Sequence, residues 1–353
     1  MADIATPLLT RLGSPTSFEP DLKPTASEGL RLVETPPPVL QVRDLRVLLP
    51  TEQGLRPVLN GIHFELRAGE VLGLVGESGS GKSMTVRALL GLLPAQAQLS
   101  SQGIAYQGQP LSAEALRRLR GREMAMIFQN PLSAFNPTMR LGDQIGEILE
   151  FGAPPLARRA RRQRVLELLD RVGIQRPEQR MRQYPHEFSG GMLQRAMIAM
   201  AISHNPRILI ADEATSNLDV TIQAEILTLV RELQRELGMA MIWITHDLGV
   251  LAGLANRILV MFAGQVVEEA ATATLFQDPR HPYTRTLLAA LHDPLGRQSE
   301  LIPAQTIPGG CPFHMRCRHC HTQCLLAPAL QSVAAGHRVA CWRPELSVAE
   351  RIL

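Results

Sequence analysis

One stretch of the chain reads Gly76-Glu77-Ser78-Gly79-Ser80-Gly81-Lys82-Ser83, and it satisfies every fixed position of the pattern G-x-x-x-x-G-K-[ST]. The apolar run over residues 70–75 predicts a strand before it, and residues 84–90 predict a helix after it. This order points backbone N–H groups and a helix N-terminus at one anion. We therefore expect a phosphate site in which Lys82 reaches the β- and γ-phosphates and the Ser83 hydroxyl holds Mg²⁺.

The composition is that of an ordinary globular protein, with 353 residues of which 45% are hydrophobic and 20% charged. A net charge of only +3 and an aromatic content of 4% argue against a nucleic-acid partner. The sequence has neither an apolar run long enough to span a membrane nor a secretory signal. We expect a cytosolic chain that meets a membrane only through a partner.

Changes in composition along the chain predict its domain organisation. Residues 1–38 contain seven prolines with little periodicity, which predicts a disordered leader. Strand-like runs over residues 39–66 predict a small antiparallel sheet beside the phosphate loop. Residues 39–290 then form an α/β domain into which a helical subdomain, at about 133–190, is inserted. Residues 291–353 form a separate C-terminal region.

Three apolar runs, each predicted to be a buried strand, end in polar residues that suit phosphate chemistry. Gln129 could touch Mg²⁺ or the attacking water, although a plain turn residue is the alternative. Asp212 would hold Mg²⁺, and Glu213 could polarise the water that attacks the γ-phosphate. His246 is placed for a γ-phosphate contact.

A second candidate anion site lies about 108 residues after the first. Ser189 could cap a helix that runs to residue 201, and Gly190 and Gly191 would leave its N–H groups exposed. Taken alone, this tripeptide is a weak signal that is more typical of an ordinary helix start. Asp219 follows the acidic pair by a few residues.

The order of these motifs resembles the nucleotide-binding subunit of an ABC transporter. Met192, together with residues 197–201, 219–223 and 278–284, resembles the oligopeptide/dipeptide/nickel importer subfamily. The resemblance implies a P-loop NTPase (RecA-like) core that binds ATP and Mg²⁺. It assigns to the nucleotide Gly76, Glu77, Ser78, Gly79, Ser80, Gly81, Lys82, Ser83, Met84, Gln129, Asp212, Ser189, Gly190, Gly191 and Asp219. It assigns to Mg²⁺ Ser83, Gln129 and Asp212, and to catalysis Glu213, His246 and Gln129.

The same resemblance implies partners. The phosphate loop of one subunit would face Ser189, Gly190 and Gly191 of a second ATPase, usually a related but different chain. Two membrane permease subunits would dock near residues 130–146, and a substrate-binding protein would act indirectly. The chain would be peripheral on the cytoplasmic face of the plasma membrane and would power peptide import. An exporter ATPase and a soluble DNA-repair ATPase of the same class are the alternatives.

Three positions depart from the family pattern. Leu49 stands where an adenine-stacking aromatic is usual, Ala214 where proline follows the acidic pair, and Asn130 where aspartate follows the glutamine. None of these changes removes a catalytic group, so we expect a competent ATPase.

All five cysteines lie in the last 43 residues. Because a reducing cytosol disfavours structural disulfides, this clustering predicts a metal site. The subfamily resemblance matches Cys311, Cys317, Cys324 and Cys341 to the ligands of a [4Fe–4S] cluster that some members carry. Zinc is the rival, because Cys317 and Cys320 have zinc-like spacing with histidines nearby. A region without metal is the third possibility.

Overall fold

The computed structural model of the chain describes residues 37–151, 156–291 and 309–344. The leader expected over residues 1–38 therefore lies almost wholly outside the described residues, as do parts of the expected C-terminal region. Within the described ranges, no helix is both long and apolar enough to cross a membrane.

Strands and helices alternate along most of the described chain. The strands are β1 (Leu40–Thr51), β2 (Gly54–Leu66), β3 (Val71–Val75), β4 (Gln98–Ser100), β5 (Gly103–Tyr106), β6 (Gln109–Pro110), β7 (Met124–Ile127), β8 (Ile208–Asp212), β9 (Ala240–Thr245), β10 (Arg257–Phe262), β11 (Gln265–Ala271), β12 (Gln331–Ala334) and β13 (His337–Val339). The helices are α1 (Lys82–Leu89), α2 (Ala113–Leu119), α3 (Pro131–Ala134), α4 (Leu141–Glu150), α5 (Arg158–Arg171), α6 (Pro177–Arg180), α7 (Gly190–Ala201), α8 (Val220–Leu237), α9 (Leu248–Leu254), α10 (Thr272–Gln277) and α11 (Pro282–Leu291). Short 3-10 turns cover Pro185–Glu187, His314–Arg316 and Thr322–Leu325.

The larger sheet has eight strands in the spatial order β12-β13-β11-β10-β3-β9-β8-β7. The five strands from β10 to β7 are parallel, which confirms the expected α/β class. Strands β3, β8 and β9 are buried along their whole length, because both faces of a parallel sheet are covered. Val71 and Val75 face one hydrophobic cluster, whereas Leu72 and Leu74 face the other. The carboxyl ends of β3, β7, β8 and β9 thus meet at one edge.

The smaller sheet is antiparallel, in the order β2-β1-β5-β6 with β4 also paired to β1. It agrees with the strands expected over residues 39–66. A chain of backbone hydrogen bonds connects it to the phosphate loop. Asn60 of β2 donates to the Gly264 carbonyl at 2.8 Å, and Gly264 donates to the Ser80 carbonyl at 2.9 Å. The small sheet therefore supports the loop.

Helices α3 to α6 lie between β7 and α7 in sequence, where we expect an inserted helical subdomain. In α5, Val165, Leu168 and Leu169 are buried at helical spacing. The arginines of this helix are exposed or half-buried, and three of them form ion pairs: Arg161 with Glu150, Arg164 with Glu167 and Arg171 with Glu236. The arginine run thus forms the solvated face that is typical of such a pattern.

The C-terminal region joins the larger sheet, a feature that sequence did not reveal. Strand β13 pairs antiparallel with β11 and with β12. Glu268 of β11 is fully buried and accepts hydrogen bonds from the Arg280 and His281 backbones and from His337 Nε2, the last at 2.7 Å. A buried carboxylate satisfied by three donors fixes how the hairpin docks, because an unpaired charge there would be costly.

Candidate functional site

The phosphate loop connects β3 to α1 at the common edge of the parallel strands. Gly76 begins it, and a Cβ at this position would lie 2.2 Å from the Met261 carbonyl oxygen. Only glycine fits there, because no real Cβ approaches backbone so closely. The loop is thus pressed against β10 and presents the N-terminus of α1 to a phosphate.

Lys82 is the first residue of α1 and is buried. Its Nζ donates to the carbonyls of Gly76 at 2.7 Å and Glu77 at 2.9 Å. Burial lowers the pKa of Lys82, and nearby carboxylates, Glu213 foremost, oppose that shift. The ammonium therefore lies inside the curve of the loop, where a triphosphate would bind.

Ser83 and Asp212 form a pair of oxygens suited to Mg²⁺. The Ser83 hydroxyl donates to Asp212 Oδ1 at 2.8 Å. Burial raises the pKa of Asp212, and the hydrogen bond from Ser83 opposes that shift. A hydroxyl and a buried carboxylate beside a phosphate loop form the donor set that Mg²⁺ prefers, so these residues fit the ion.

Three polar side chains meet at the ends of neighbouring strands. Gln129 follows β7, Glu213 follows β8 and His246 follows β9. Gln129 Nε2 donates to Glu213 Oε2 at 2.9 Å, and His246 Nδ1 lies 3.7 Å from Glu213 Oε1. Glu213 is thus flanked on both sides, with its side chain 20% exposed against 62% for His246. A carboxylate held this way can accept a proton from water.

The segment Ser189 to Gly191 forms a different surface. Ser189 Oγ caps α7 by accepting from the Met192 N–H at 3.3 Å. Gly191 packs against Ile222 of α8, and Asp219 caps α8 by accepting from the Ile222 N–H at 2.9 Å. Among the described residues, no hydrogen bond or ion pair joins this segment to the phosphate loop. The fold thus brings together the predicted residues at the phosphate loop and the strand ends: Lys82, Ser83, Asp212, Gln129, Glu213 and His246. The other predicted residues lie apart from them: Ser189, Gly190, Gly191 and Asp219.

Four of the five cysteines line one cavity of about 20 Å³: Cys311, Cys317, Cys324 and Cys341. Cys320 is exposed and does not line it. Burial raises the pKa of Cys311 and of Cys317 to about 11. In the part of the chain that the structure describes, no three His, Cys, Asp or Glu side chains converge closely enough to hold a metal ion.

Two residues that contact the phosphate loop were missed by sequence reasoning. The Glu77 N–H donates to Tyr283 Oη at 2.8 Å. The Glu77 carboxylate accepts from both Nη1 and Nη2 of Arg316, each at 2.8 Å. Arg316 lies 239 residues after Glu77, and no motif links the two positions. Tyr283 belongs to the stretch that resembles the importer subfamily, which was the only available signal.

Two family models match the chain. The model described as "ABC transporter" matches residues 59–216. The model described as "Oligopeptide/dipeptide transporter, C-terminal region" matches residues 267–324. Together they cover the phosphate loop, Gln129, Glu213, Tyr283 and three of the four cysteines that line the cavity, whereas His246 lies between the two matched ranges.

The chain is also similar to curated proteins and solved structures. It is 48% identical over 257 residues to the oligopeptide transport ATP-binding protein OppD of Bacillus subtilis, covering 72% of each chain. It is 44% identical to OppD of Salmonella typhimurium (87% of this chain, 94% of the relative) and 42% identical to the dipeptide transport protein DppD of B. subtilis (86% and 94%).

Among solved structures, cbiO1 of Clostridium perfringens, described as part of an ABC transporter complex, is 26% identical with a TM-score of 0.58 (68% of this chain, 91% of that chain). The ATP-binding cassette MJ0796, bound to ADP and phosphate, is 24% identical with a TM-score of 0.59 (66% and 98%), a likeness of fold. With these relatives and this site, the chain belongs to the ATP-binding proteins of oligopeptide- and dipeptide-type ABC transporters, and it is an ABC ATPase.

Proposed function

We propose that this chain hydrolyses ATP to power the import of di- or oligopeptides. The convergence of Gln129, Glu213 and His246 beside the phosphate loop carries the hydrolytic part. The peptide part rests on the printed functions of the relatives and on the match over residues 267–324. Net charge and aromatic scarcity give no support to a nucleic-acid partner.

In this proposal, different side chains and backbone groups of the chain have separate roles at the phosphates. Lys82 and the loop N–H groups bind the phosphates, and Ser83, Asp212 and Gln129 hold Mg²⁺, which neutralises phosphate charge when bound. Glu213 accepts the proton of the attacking water. His246 contacts the γ-phosphate.

We also propose that ATP is held between two ATPase subunits. Ser189, Gly190, Gly191 and Asp219 lie on a surface separate from the phosphate loop, so they are available to complete the site of a second, related but non-identical chain. Helix α7 begins at Gly190 and presents its N-terminus there, which suits a phosphate.

Two permease subunits would dock beside residues 130–146, on the cytoplasmic face of the plasma membrane, with a binding protein acting through them. An apolar cavity of about 360 Å³ lies between β7 and the helices in this part of the chain. Phe128 and Phe151 line it and are exposed, as is Leu132 nearby. Exposed large apolar side chains of this kind are typical of protein interfaces.

Peptide uptake by cells tests the transport direction. In native-host cells whose only copy carries Lys82→Ala, uptake of a labelled peptide should fall at least about tenfold, while free amino-acid uptake stays unchanged, because the phosphate site is lost. Normal peptide uptake would contradict the proposal. Normal uptake combined with reduced peptide efflux would support an exporter instead.

We propose further that Cys311, Cys317, Cys324 and Cys341 hold a [4Fe–4S] cluster, for which four thiolates are the usual donor set. Their common cavity supports this proposal, whereas the lack of close convergence among the described side chains favours the metal-free alternative. Protein purified without oxygen should absorb visible light and contain about four iron atoms per chain.

Cys320 provides a matched control for this cluster, because it is exposed and lies outside the cavity. Cys317→Ser should abolish iron binding, whereas Cys320→Ser should leave it unchanged. A colourless, iron-free protein from an iron-replete host would contradict the cluster. Bound zinc would support the rival metal.

A further inference from the structure

The phosphate loop carries an acidic residue whose partner lies in the C-terminal region. Glu77 is the second residue of the loop, and both of its carboxylate oxygens accept from the Arg316 guanidinium, each at 2.8 Å. The Arg316 side chain is 15% exposed and that of Glu77 is 27% exposed. A two-pronged, partly buried pair of this kind is stronger and more directional than an ordinary surface ion pair.

Contacts that do not involve Glu77 also hold the Arg316 side chain in place. It ends the 3-10 turn His314–Arg316, and its guanidinium carbon lies 5.5 Å from the ring centres of both Phe262 and Phe313. The two rings pack edge to face. Because packing limits the rotamers of Arg316, little freedom is lost when the pair forms.

Tyr283 belongs to the same group of contacts. Its ring packs against Phe262, and its hydroxyl accepts the Glu77 N–H at 2.8 Å. Both the backbone and the side chain of Glu77 are therefore held by residues from outside the loop. The loop position thus depends on the region over residues 267–324, which is matched by a separate family model.

The negative charge of Glu77 is unfavourable for the binding of ATP by the phosphate loop. ATP brings several negative charges into this loop, and an unneutralised carboxylate there would repel them. Glu77 is also close enough to Lys82 for its charge to act on that ammonium. The Arg316 guanidinium neutralises Glu77, so the carboxylate no longer repels the phosphates. Lys82 then remains available to bind the phosphates.

We propose that Arg316 is a positioning residue for ATP binding, which neutralises Glu77 and fixes the phosphate loop from the C-terminal region. Arg316 acts through Glu77 and takes no part in the chemical step. Its removal therefore weakens ATP binding more than it slows turnover.

The test is steady-state hydrolysis by the transporter assembled around the full-length chain, with nucleotide affinity measured in parallel. Arg316→Gln should raise the KM for ATP about tenfold and change kcat by less than about threefold, because the lost interaction acts on ground-state binding. Arg338→Gln is the matched control. Arg338 lies in the same region and pairs with Glu269, away from the loop, so its replacement should leave KM unchanged.

A double variant separates charge neutralisation from a merely structural contact. Glu77→Gln combined with Arg316→Gln should restore the KM to within about threefold of the native value, because the repelling charge is gone. Arg316→Lys, which keeps the charge but loses the fork, should fall between native and Arg316→Gln. Arg316→Lys serves as the test if Arg316→Gln does not fold. A native KM in Arg316→Gln, or a double variant as defective as the single one, would overturn the proposal.

Discussion

Glu213 has a left-handed backbone conformation, with φ at +49°, that side chains of its length seldom adopt. Its N–H donates to the Ile244 carbonyl at 3.0 Å, which attaches it to β9 while the residue itself follows β8. An unusual conformation that is held by neighbouring strands is typical of functional positions. Here it places the carboxylate between Gln129 and His246.

A second glycine behind the phosphate loop gives a prediction at the residue scale. Gly264 has φ at +77°, and a Cβ there would lie 2.2 Å from the Val58 carbonyl oxygen. Because Gly264 also donates to Ser80 of the loop, Gly264→Ala should displace the loop. We expect ATP affinity to fall at least about tenfold, together with a loss of several kcal/mol of folding stability.

Gly238→Ala is the matched control. Gly238 caps α8 at φ +63° and a Cβ there would meet nothing within 4 Å. It carries the same backbone strain without the clash, so we expect a stability loss of about 1 kcal/mol and unchanged ATP affinity. Equal effects of the two variants, measured by thermal unfolding and nucleotide titration, would contradict a specific role for Gly264.

At the scale of elements, strand β11 connects the ATPase sheet to the C-terminal hairpin. His281, which follows α10, is almost fully buried, and its Nδ1 accepts the Tyr283 N–H at 3.1 Å. Burial lowers the pKa of His281 from 6.5 to about 4, with the Glu268 charge opposing this and the Arg285 charge adding to it. The His281 ring is therefore neutral in the folded structure, in which the C-terminal hairpin is docked on β11.

This histidine makes stability depend on pH in a defined direction. The unfolded chain binds a proton on His281 below about pH 6.5, whereas the folded chain does so only below about pH 4. Folding stability should thus fall as pH falls through this window, by on the order of 3 kcal/mol in total, and should not change from this group at higher pH. Thermal unfolding between pH 7.5 and pH 5 measures it.

His281→Asn isolates the contribution of this group. The asparagine carbonyl can still accept the Tyr283 N–H two residues on, but it does not titrate. The variant should unfold at a lower temperature at pH 7.5 and lose less stability than the native chain on going to pH 5. An equal loss in both proteins would show that other groups cause the acid sensitivity.

The elements around the site were largely predictable from sequence, and those of the C-terminal region were not. Buried parallel strands read as continuous apolar runs, so Gln129, Asp212 and His246 could be placed at strand ends from the sequence alone. Strands β12 and β13 have only four and three residues, too short for periodicity to be detected. Arg316 was missed because a contact across 239 residues depends on how the region docks.

At the scale of the whole molecule, the two helix N-termini that we propose as anion sites lie on separate surfaces of one chain. Helix α1 begins in the phosphate loop beside Glu213, whereas α7 begins at Gly190 and packs on α8. We propose that this chain completes the nucleotide site of a partner ATPase with the second surface, while the partner completes the site at the phosphate loop of this chain. On this proposal, hydrolysis is a property of the assembled transporter.

The most direct measurement is therefore ATP hydrolysis by the transporter assembled around this chain, with Glu213→Gln compared with the native sequence and ATP binding measured on the same samples. We expect unchanged binding and a rate at least about 100-fold lower, because the amide cannot accept a proton from the attacking water. A variant rate within about twofold of the native rate would contradict Glu213 as the base.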